Sequence, residues 1–290
     1  MKQTLGRNLI RRSVLGAALM LLAPAAASAE EPVEQVTAEI DGQDMRIYRY
    51  HPEGCAAPSI LLVFHGNSRA AKSYLNSARE IADRGCFIVY SPLFDRDRFP
   101  NWTYHRGGLV RDGQLQPEED WTASMVDDLM DWAREQEGLP EADGYLFGHS
   151  AGAQFLSRVA AYALPDDVAR IILANPSSYV MPSEEEQVPY GYGGLPEPEA
   201  EGWMRDYLAA PITIYLGEED TGSKDLTTNP PALRQGRNRL DRGERTFEAA
   251  RKAAESKGWP FNWSLVRADD VGHSARGMLG AEEMVEALGF

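Results

Sequence analysis

The chain has 290 residues, 43% of them hydrophobic, and carries a formal net charge of −15 at pH 7. This length suits one large α/β domain, and a surface this acidic repels nucleic acid and anionic membranes. The charge says little about a small substrate, because a cleft can differ in sign from the whole.

The first element reads as an export signal. Lys2, Arg7, Arg11 and Arg12 precede an apolar run over 14–26, and Ala27-Ser28-Ala29 fits the small-x-small cleavage pattern. Residues 1–29 are expected to be removed, leaving a domain over 30–290 with a net charge of −19. The run is too short to span a bilayer. Arg11-Arg12-Ser13-Val14-Leu15 resembles a twin-arginine signal, and a general secretory signal with two adjacent arginines is the alternative. No other stretch is long and apolar enough to be transmembrane, so the expected location is the periplasm or the extracellular space, without membrane insertion.

Residues 36–50 alternate, with Asp41-Gly42 as a turn, Met45 and Ile47 on one face and Tyr48 and Tyr50 on the other. This pattern predicts an edge hairpin. Ser59 to Phe64 is a continuous apolar run of strand length, covered on both faces as a parallel sheet requires, and ends at His65-Gly66-Asn67-Ser68. A helix with Tyr74, Leu75, Ala78, Ile81 and Ala82 inward follows, then a strand from Cys86 to Tyr90. Cys55 and Cys86 each lie before or at the start of a strand, and parallel neighbours would bring them to one edge of the sheet. In an oxidising compartment such a pair is expected to form a disulfide.

Residues 91–116 lose periodicity but keep aromatics, as a capping or functional loop would. Residues 118–136 restore helical spacing through Trp121, Met125, Val126, Leu129 and Trp132. Gly144 to Gly152 reads G-Y-L-F-G-H-S-A-G: a buried strand that breaks into a glycine-flanked serine and a helix over 151–164. In G-x-S-x-G the glycines allow a sharp strand-to-helix turn that lifts a serine Oγ clear of the sheet, beside the positive end of a helix. Ser150 is therefore the candidate nucleophile. Strand 168–174 follows, then a proline- and tyrosine-rich stretch over 175–203, read as a cap-like insertion over the mouth of the sheet. A strand over 211–216 precedes Gly217-Glu218-Glu219-Asp220, and a basic cluster of Arg234, Arg237, Arg239 and Arg242 comes before a helix over 245–257. A strand over 263–266, Val271-Gly272-His273-Ser274 and one last helix through Met278 and Leu288 complete the chain. Strands alternating with helices at this spacing call for a doubly wound, mostly parallel sheet of about eight strands with helices on both faces.

A serine needs a base, and imidazole has the best-matched proton affinity. Of the five histidines, only His273 follows Ser150, in the order nucleophile, acid, histidine. Asp220, four residues beyond Leu216 at a strand end, is the candidate acid, with Glu219 the runner-up. The backbone N–H groups of Ala151 and Asn67 are the candidate oxyanion hole. His65 and His149 read as structural.

H-G-N-S after a buried strand, G-H-S-A-G, G-E-E-D after a later strand and G-H-S near the end resemble the α/β-hydrolase superfamily over nearly the whole mature chain. The short H-G-x loop and the exported start are similar to its polyhydroxybutyrate-depolymerase-like and feruloyl-esterase-like branch. The elbow departs from the branch in reading H-S-A where depolymerases often have L-S-A. The resemblance implies a catalytic triad of Ser150, Asp220 and His273 and no metal or organic cofactor. The expected activity is hydrolysis of a small or polymeric carboxylic ester through an acyl-enzyme. An amidase or peptidase with the same triad and a non-catalytic binding module are the competing readings. Trp102, Tyr104, Tyr179, Tyr190, Tyr192 and Trp203 could line an apolar cleft, and Arg234 to Arg242 could bind a substrate carboxylate or neutralise nearby acids. The sequence leaves the oligomeric state open.

Overall fold

A computed structural model describes Met1 and residues 33–290. Apart from Met1, the expected signal, its twin-arginine pair and its cleavage site lie outside the described residues. Strands β1 (Glu34–Ile40) and β2 (Gln43–Tyr50) form the edge hairpin, with Val36 opposite Ile47. Asp41 and Gly42 between them have φ of 49° and 66°, the positive values a two-residue hairpin turn requires. Strand β3 (Ser59–Phe64), helix α1 (Ala71–Gly85) and strand β4 (Phe87–Pro92) make the first parallel unit, and α1 buries the five residues its periodicity selects.

The next stretch holds a short helix α2 (Asn101–Tyr104) and a small ribbon, β5 (Val110–Arg111) with β6 (Gln114–Leu115). Helix α3 (Met125–Glu137) starts later than its pattern suggests, after two turns of 3-10 helix. Trp121 explains the shift. It is buried, but its backbone is extended (ψ 122°) and its indole N–H donates to Gln116 O at 2.9 Å, so it anchors the loop and not the helix.

Strand β7 (Gly144–His149), helix α4 (Ala151–Tyr162) and strand β8 (Val168–Ala174) lie where the apolar runs place them. Helix α5 (Glu199–Ala209), which the sequence pattern did not suggest, then leads to strand β9 (Ile212–Gly217). Helices α6 (Pro230–Gln235) and α7 (Arg239–Lys257) and strand β10 (Ser264–Ala268) follow. The expected last helix is two, α8 (Ala275–Gly280) and α9 (Met284–Leu288), separated where Ala281 turns extended (ψ 149°).

Helix α7 begins six residues before its apolar pattern does, because its inward positions in that stretch are Arg239, Arg242 and Gly243. Asn238 caps it by accepting from Asp241 N–H at 2.8 Å. Gly243 lets the helix approach β9: a Cβ there would sit 2.5 Å from Leu216 Cδ2.

The eight-stranded sheet runs β1-β2-β4-β3-β7-β8-β9-β10, antiparallel at the β1–β2 and β2–β4 contacts and parallel elsewhere. Ile60, Leu62 and Phe64 of β3 join the core on one face, and Leu61 and Val63 the core on the other. The 175–203 stretch, expected to be a cap-like insertion, is tied into the body. Its Tyr179, Val180 and Tyr192 are buried, Tyr162 Oη donates to Gly191 O at 2.6 Å, and the buried Arg158 of α4 donates to Pro189 O and Ser178 O at 3.0 and 2.9 Å.

Cys55 and Cys86 are joined by a disulfide, with their Cα atoms 5.5 Å apart, where β3 and β4 run side by side. The bridge closes a loop of sequence separation 31, so replacing both cysteines by serine is expected to lower the unfolding free energy by about 3 kcal/mol in denaturant titrations. Acid should act through buried imidazoles. His65 is fully buried and bonded through both ring nitrogens, to Gly66 O at 3.0 Å and from Phe94 N–H at 3.1 Å, and burial pushes it down to about 4. Unfolding frees it to bind a proton at ordinary pH, so stability is intact above about pH 6.5 and falls as pH drops toward 4. Urea titrations at pH 7 and pH 4.5 should differ by on the order of 2 kcal/mol from this residue, and His65→Gln should reduce the difference.

Candidate active site

At the end of β7 the chain must turn directly into α4, and Ser150 takes the whole of that turn at φ 58°, ψ −112°. A serine held there is strained by about 1–3 kcal/mol. The flanking glycines permit it by absence of bulk: a Cβ on Gly152 would lie 2.2 Å from Phe64 O, and one on Gly148 2.5 Å from Gly152 O. Ser150 N–H donates to Ala174 O at 3.0 Å, which fixes the turn to the neighbouring strand.

Three strand ends converge here. His273, in the loop after β10, places Nε2 3.0 Å from Ser150 Oγ and Nδ1 2.7 Å from Asp220 Oδ2. Asp220 follows β9 and is 2% exposed, whereas the His273 side chain is 29% exposed. Glu219 faces solvent and contributes its backbone N–H to Val271 O at 3.0 Å. Of the two acids considered, only Asp220 reaches the imidazole. With Asp220 accepting at Nδ1–H, Nε2 is left free to accept from the serine hydroxyl, the tautomer a general base needs.

Ala151 is the first residue of α4, so its N–H has no acceptor within the helix. Asn67 lies across the cleft, after β3, and both line a cavity of about 260 Å³ with Ser150. The loop carrying Asn67 is held from behind: Arg96 donates to Asn67 O at 2.6 Å and Tyr104 Oη to His65 O at 2.7 Å. His149 is buried against His273, their ring centroids 4.7 Å apart, and bonds Tyr74 Oη through Nδ1 at 3.0 Å. Burial, then the neighbouring His273 and Arg239, hold His149 well below the usual histidine range. It is thus neutral beside the imidazole that would become charged.

The cavity is more polar than the aromatic content of the loops suggests. Asn101, Gln154, Ser177, Thr227 and Arg106 line it, with Leu226, Tyr190 and Ala151 as its apolar members. Of the six loop aromatics considered from sequence, only Tyr190 reaches it. Tyr104, Tyr179 and Tyr192 are fully buried, and Trp203 packs on Trp121 at 5.8 Å. Gln154 was legible in principle, since it stands four residues beyond Ser150 on the same helical face. Arg106 was hidden in an aperiodic loop. It is exposed and has no ion pair among the described residues, while His105 beside it is pushed down to about 3 by burial, then by Arg69 and Arg106.

The basic cluster does not line the cavity. Arg234 pairs with Glu186 at 2.5 Å and Arg237 with Asp241 at 3.3 Å. Arg242 is buried, donating to Gly236 O and Thr227 O at 3.0 and 2.9 Å and to Ser177 O. Arg239, 1% exposed, lies 3.3 Å from Asp220 Oδ1. Among the described residues no group of three or more His, Cys, Asp or Glu side chains is placed to hold a metal ion.

The alpha/beta hydrolase fold family model matches residues 60–248, a span that carries Ser150 and Asp220 and ends before His273. No curated protein matches. Among solved structures, a poly(3-hydroxybutyrate) depolymerase from Bordetella parapertussis is 28% identical, with a TM-score of 0.79 over 86% of this chain and 87% of that one. Poly(aspartic acid) hydrolase-1 from Sphingomonas sp. KT-1 is 30% identical, also with a TM-score of 0.79, over 85% of this chain and 95% of its own. An esterase from Pyrobaculum calidifontis shares the fold at 16% identity and a TM-score of 0.52, over 89% of this chain and 83% of that one. The chain belongs to the α/β-hydrolase fold family, and within it resembles the branch that holds the Bordetella depolymerase.

Proposed function

We propose that the protein is an exported serine hydrolase that cleaves carboxylic esters through an acyl-enzyme on Ser150. The observation that carries this reading is the unbroken chain from Ser150 Oγ through His273 to Asp220, at 3.0 and 2.7 Å, opening on a cavity. As Oγ attacks the acyl carbon, its proton passes to His273 Nε2, and Asp220 stabilises the imidazolium that results. The N–H groups of Ala151 and Asn67 receive the charge that develops on the carbonyl oxygen. His273 then returns the proton to the leaving alcohol, and a water activated by the same nitrogen releases the acid. The disulfide is compatible with export, and no helix among the described residues is long and apolar enough to cross a membrane.

A second reading, amide hydrolysis by the same groups, has specific support. One neighbour of 30% identity is named as a poly(aspartic acid) hydrolase, and the cavity here presents amides, hydroxyls, one carboxylate (Asp225) and Arg106, which has no ion pair among the described residues. Such a lining suits a polar, carboxylate-bearing chain better than a purely apolar polyester.

Ser150→Ala should lower turnover of short p-nitrophenyl esters by at least about 10⁴-fold and abolish labelling by a fluorophosphonate probe. Activity retained by the clean variant rejects the nucleophile, and wild-type protein that resists the probe favours a binding module. Matched ester, anilide, poly(3-hydroxybutyrate) and poly(aspartic acid) substrates assayed in parallel separate the two bond classes. Arg106→Ala should raise KM for carboxylated substrates about tenfold and leave neutral analogues unchanged, and equal effects on both would remove Arg106 from substrate recognition.

A further inference from the structure

Asp220 has its two carboxylate oxygens divided between two partners. Oδ2 meets His273 Nδ1 at 2.7 Å, and Oδ1 lies 3.3 Å from Arg239 Nη1. The other terminal nitrogen of Arg239 donates to Lys224 O at 2.8 Å. Arg239 and Asp220 are 1% and 2% exposed, so solvent screens this pair far less than a surface one. Arg239 is also the first residue of α7, whose N-terminal cap holds its position.

Resting on the reading of Ser150, Asp220 and His273 as the reacting set, we propose that Arg239 is a positioning residue. It holds Asp220 aimed at His273, supplies the fixed cation against which the Asp220–His273 pair would gain a proton, and ties that pair to the loop walling the cavity.

The first part follows from geometry. A carboxylate with one oxygen anchored cannot rotate away from the imidazole, and a buried anion facing only a neutral imidazole would be costly. The second follows from charge. A fixed cation beside the pair opposes uptake of a further proton wherever in the pair that proton settles, because the two groups titrate as a unit. The third follows from Lys224. Arg239 holds its carbonyl, and Arg242 one turn on holds Thr227 O, so a single turn of α7 fixes the loop bearing Asp225, Leu226 and Thr227, all cavity residues.

The other groups near the pair do not supply this charge. His149 is neutral by burial, and the buried Tyr179 is raised well above the ordinary phenol range. Arg242 donates to the backbone carbonyls of Gly236, Ser177 and Thr227 and meets no carboxylate among the described residues. Glu218, Glu219, Asp269, Asp270 and Arg276, on the two loops that carry Asp220 and His273, are exposed to water.

The test compares Arg239→Met and Arg239→Lys by two measurements: kcat/KM against pH, and an NMR titration of the His273 ring in the Ser150→Ala background. In the methionine variant, the midpoint of the acid limb and the NMR midpoint should both move to higher pH by about one unit. On the plateau kcat should fall about tenfold or more. Lysine restores the charge without spanning to Lys224 O, so its midpoints should return near those of the unsubstituted protein while KM rises. If the methionine variant does not fold, Arg239→Gln removes the same charge and is read the same way. Midpoints that stay put in folded methionine or glutamine variants overturn the proposal. Because the NMR titration needs no turnover, it decides the role of Arg239 even if Ser150→Ala shows the hydrolytic reading to be wrong.

Discussion

The turn at Ser150 is the constraint on which the rest of the site depends. A residue at φ 58°, ψ −112° is unfavourable anywhere, so the surrounding structure must hold it there. The hold comes from below and from both sides. Ser150 N–H is committed to Ala174 O, Gly152 lies against the carbonyls of Phe64 and His65, and α4 is buried along its whole length between the sheet and the 175–203 stretch. The backbone of β3 that presses on Gly152 leads straight into the loop carrying Asn67. The close approach that permits the turn thus also fixes the spacing between Ala151 and Asn67 across the cleft. Packing and candidate chemistry are the same contact here, and bulk added at Gly152 would disturb both.

A second theme is the use of buried arginine where apolar residues would be expected. Arg69, Arg158, Arg239 and Arg242 are all buried. Among the described residues only Arg239 of these four meets a carboxylate; the other three donate mainly to carbonyls, with Arg69 Nε and Arg242 Nη2 left without a partner. Arg69 donates to Phe94 O and Phe99 O, Arg158 to Pro189 O, Gln154 O and Ser178 O, and Arg242 to Gly236 O, Thr227 O and Ser177 O. Irregular loops bring backbone carbonyls that cannot pair in a ladder, and leaving them unsatisfied inside the protein would be costly. A planar guanidinium with five donors satisfies several at once and fixes their relative positions. The loops tied in this way are those that surround the cavity, which is how aperiodic segments come to present a defined wall.

The same substitution explains what the sequence could and could not reveal. Apolar runs and helical periodicity located β3, α1, β4, β7, α4 and β8, because those elements bury hydrocarbon on a fixed period. The G-H-S-A-G turn, the strand-terminal Asp220 and the lone downstream histidine could be read because their chemistry demands particular residues at particular strand ends. The start of α7 was missed for the opposite reason, since its inward residues are arginine and glycine, which read as surface. Trp121 misled in the other direction, its bulk filling the core from an extended loop. The cavity wall was the least legible part. Asn101 and Arg106 come from α2 and the turn after it, and Ser177 and Thr227 from two other loops, and the meeting of these three segments depends on long-range arginine bonds and not on any local pattern.

These buried cations also bear on how the overall charge should be weighed. The chain is strongly acidic, yet in the described residues Arg69, Arg158 and Arg242 lie beneath the loops around the cavity with no carboxylate partner. Burial lowers the proton affinity of each from that of a free guanidinium, but arginine starts so far above neutrality that the charge persists. In a low-dielectric interior such charges act over longer distances than surface carboxylates, whose fields salt screens within about 8–10 Å. The local charge of the cleft therefore depends on these buried arginines together with Arg106 and Asp225 in its lining, and is separate from the net charge of the chain.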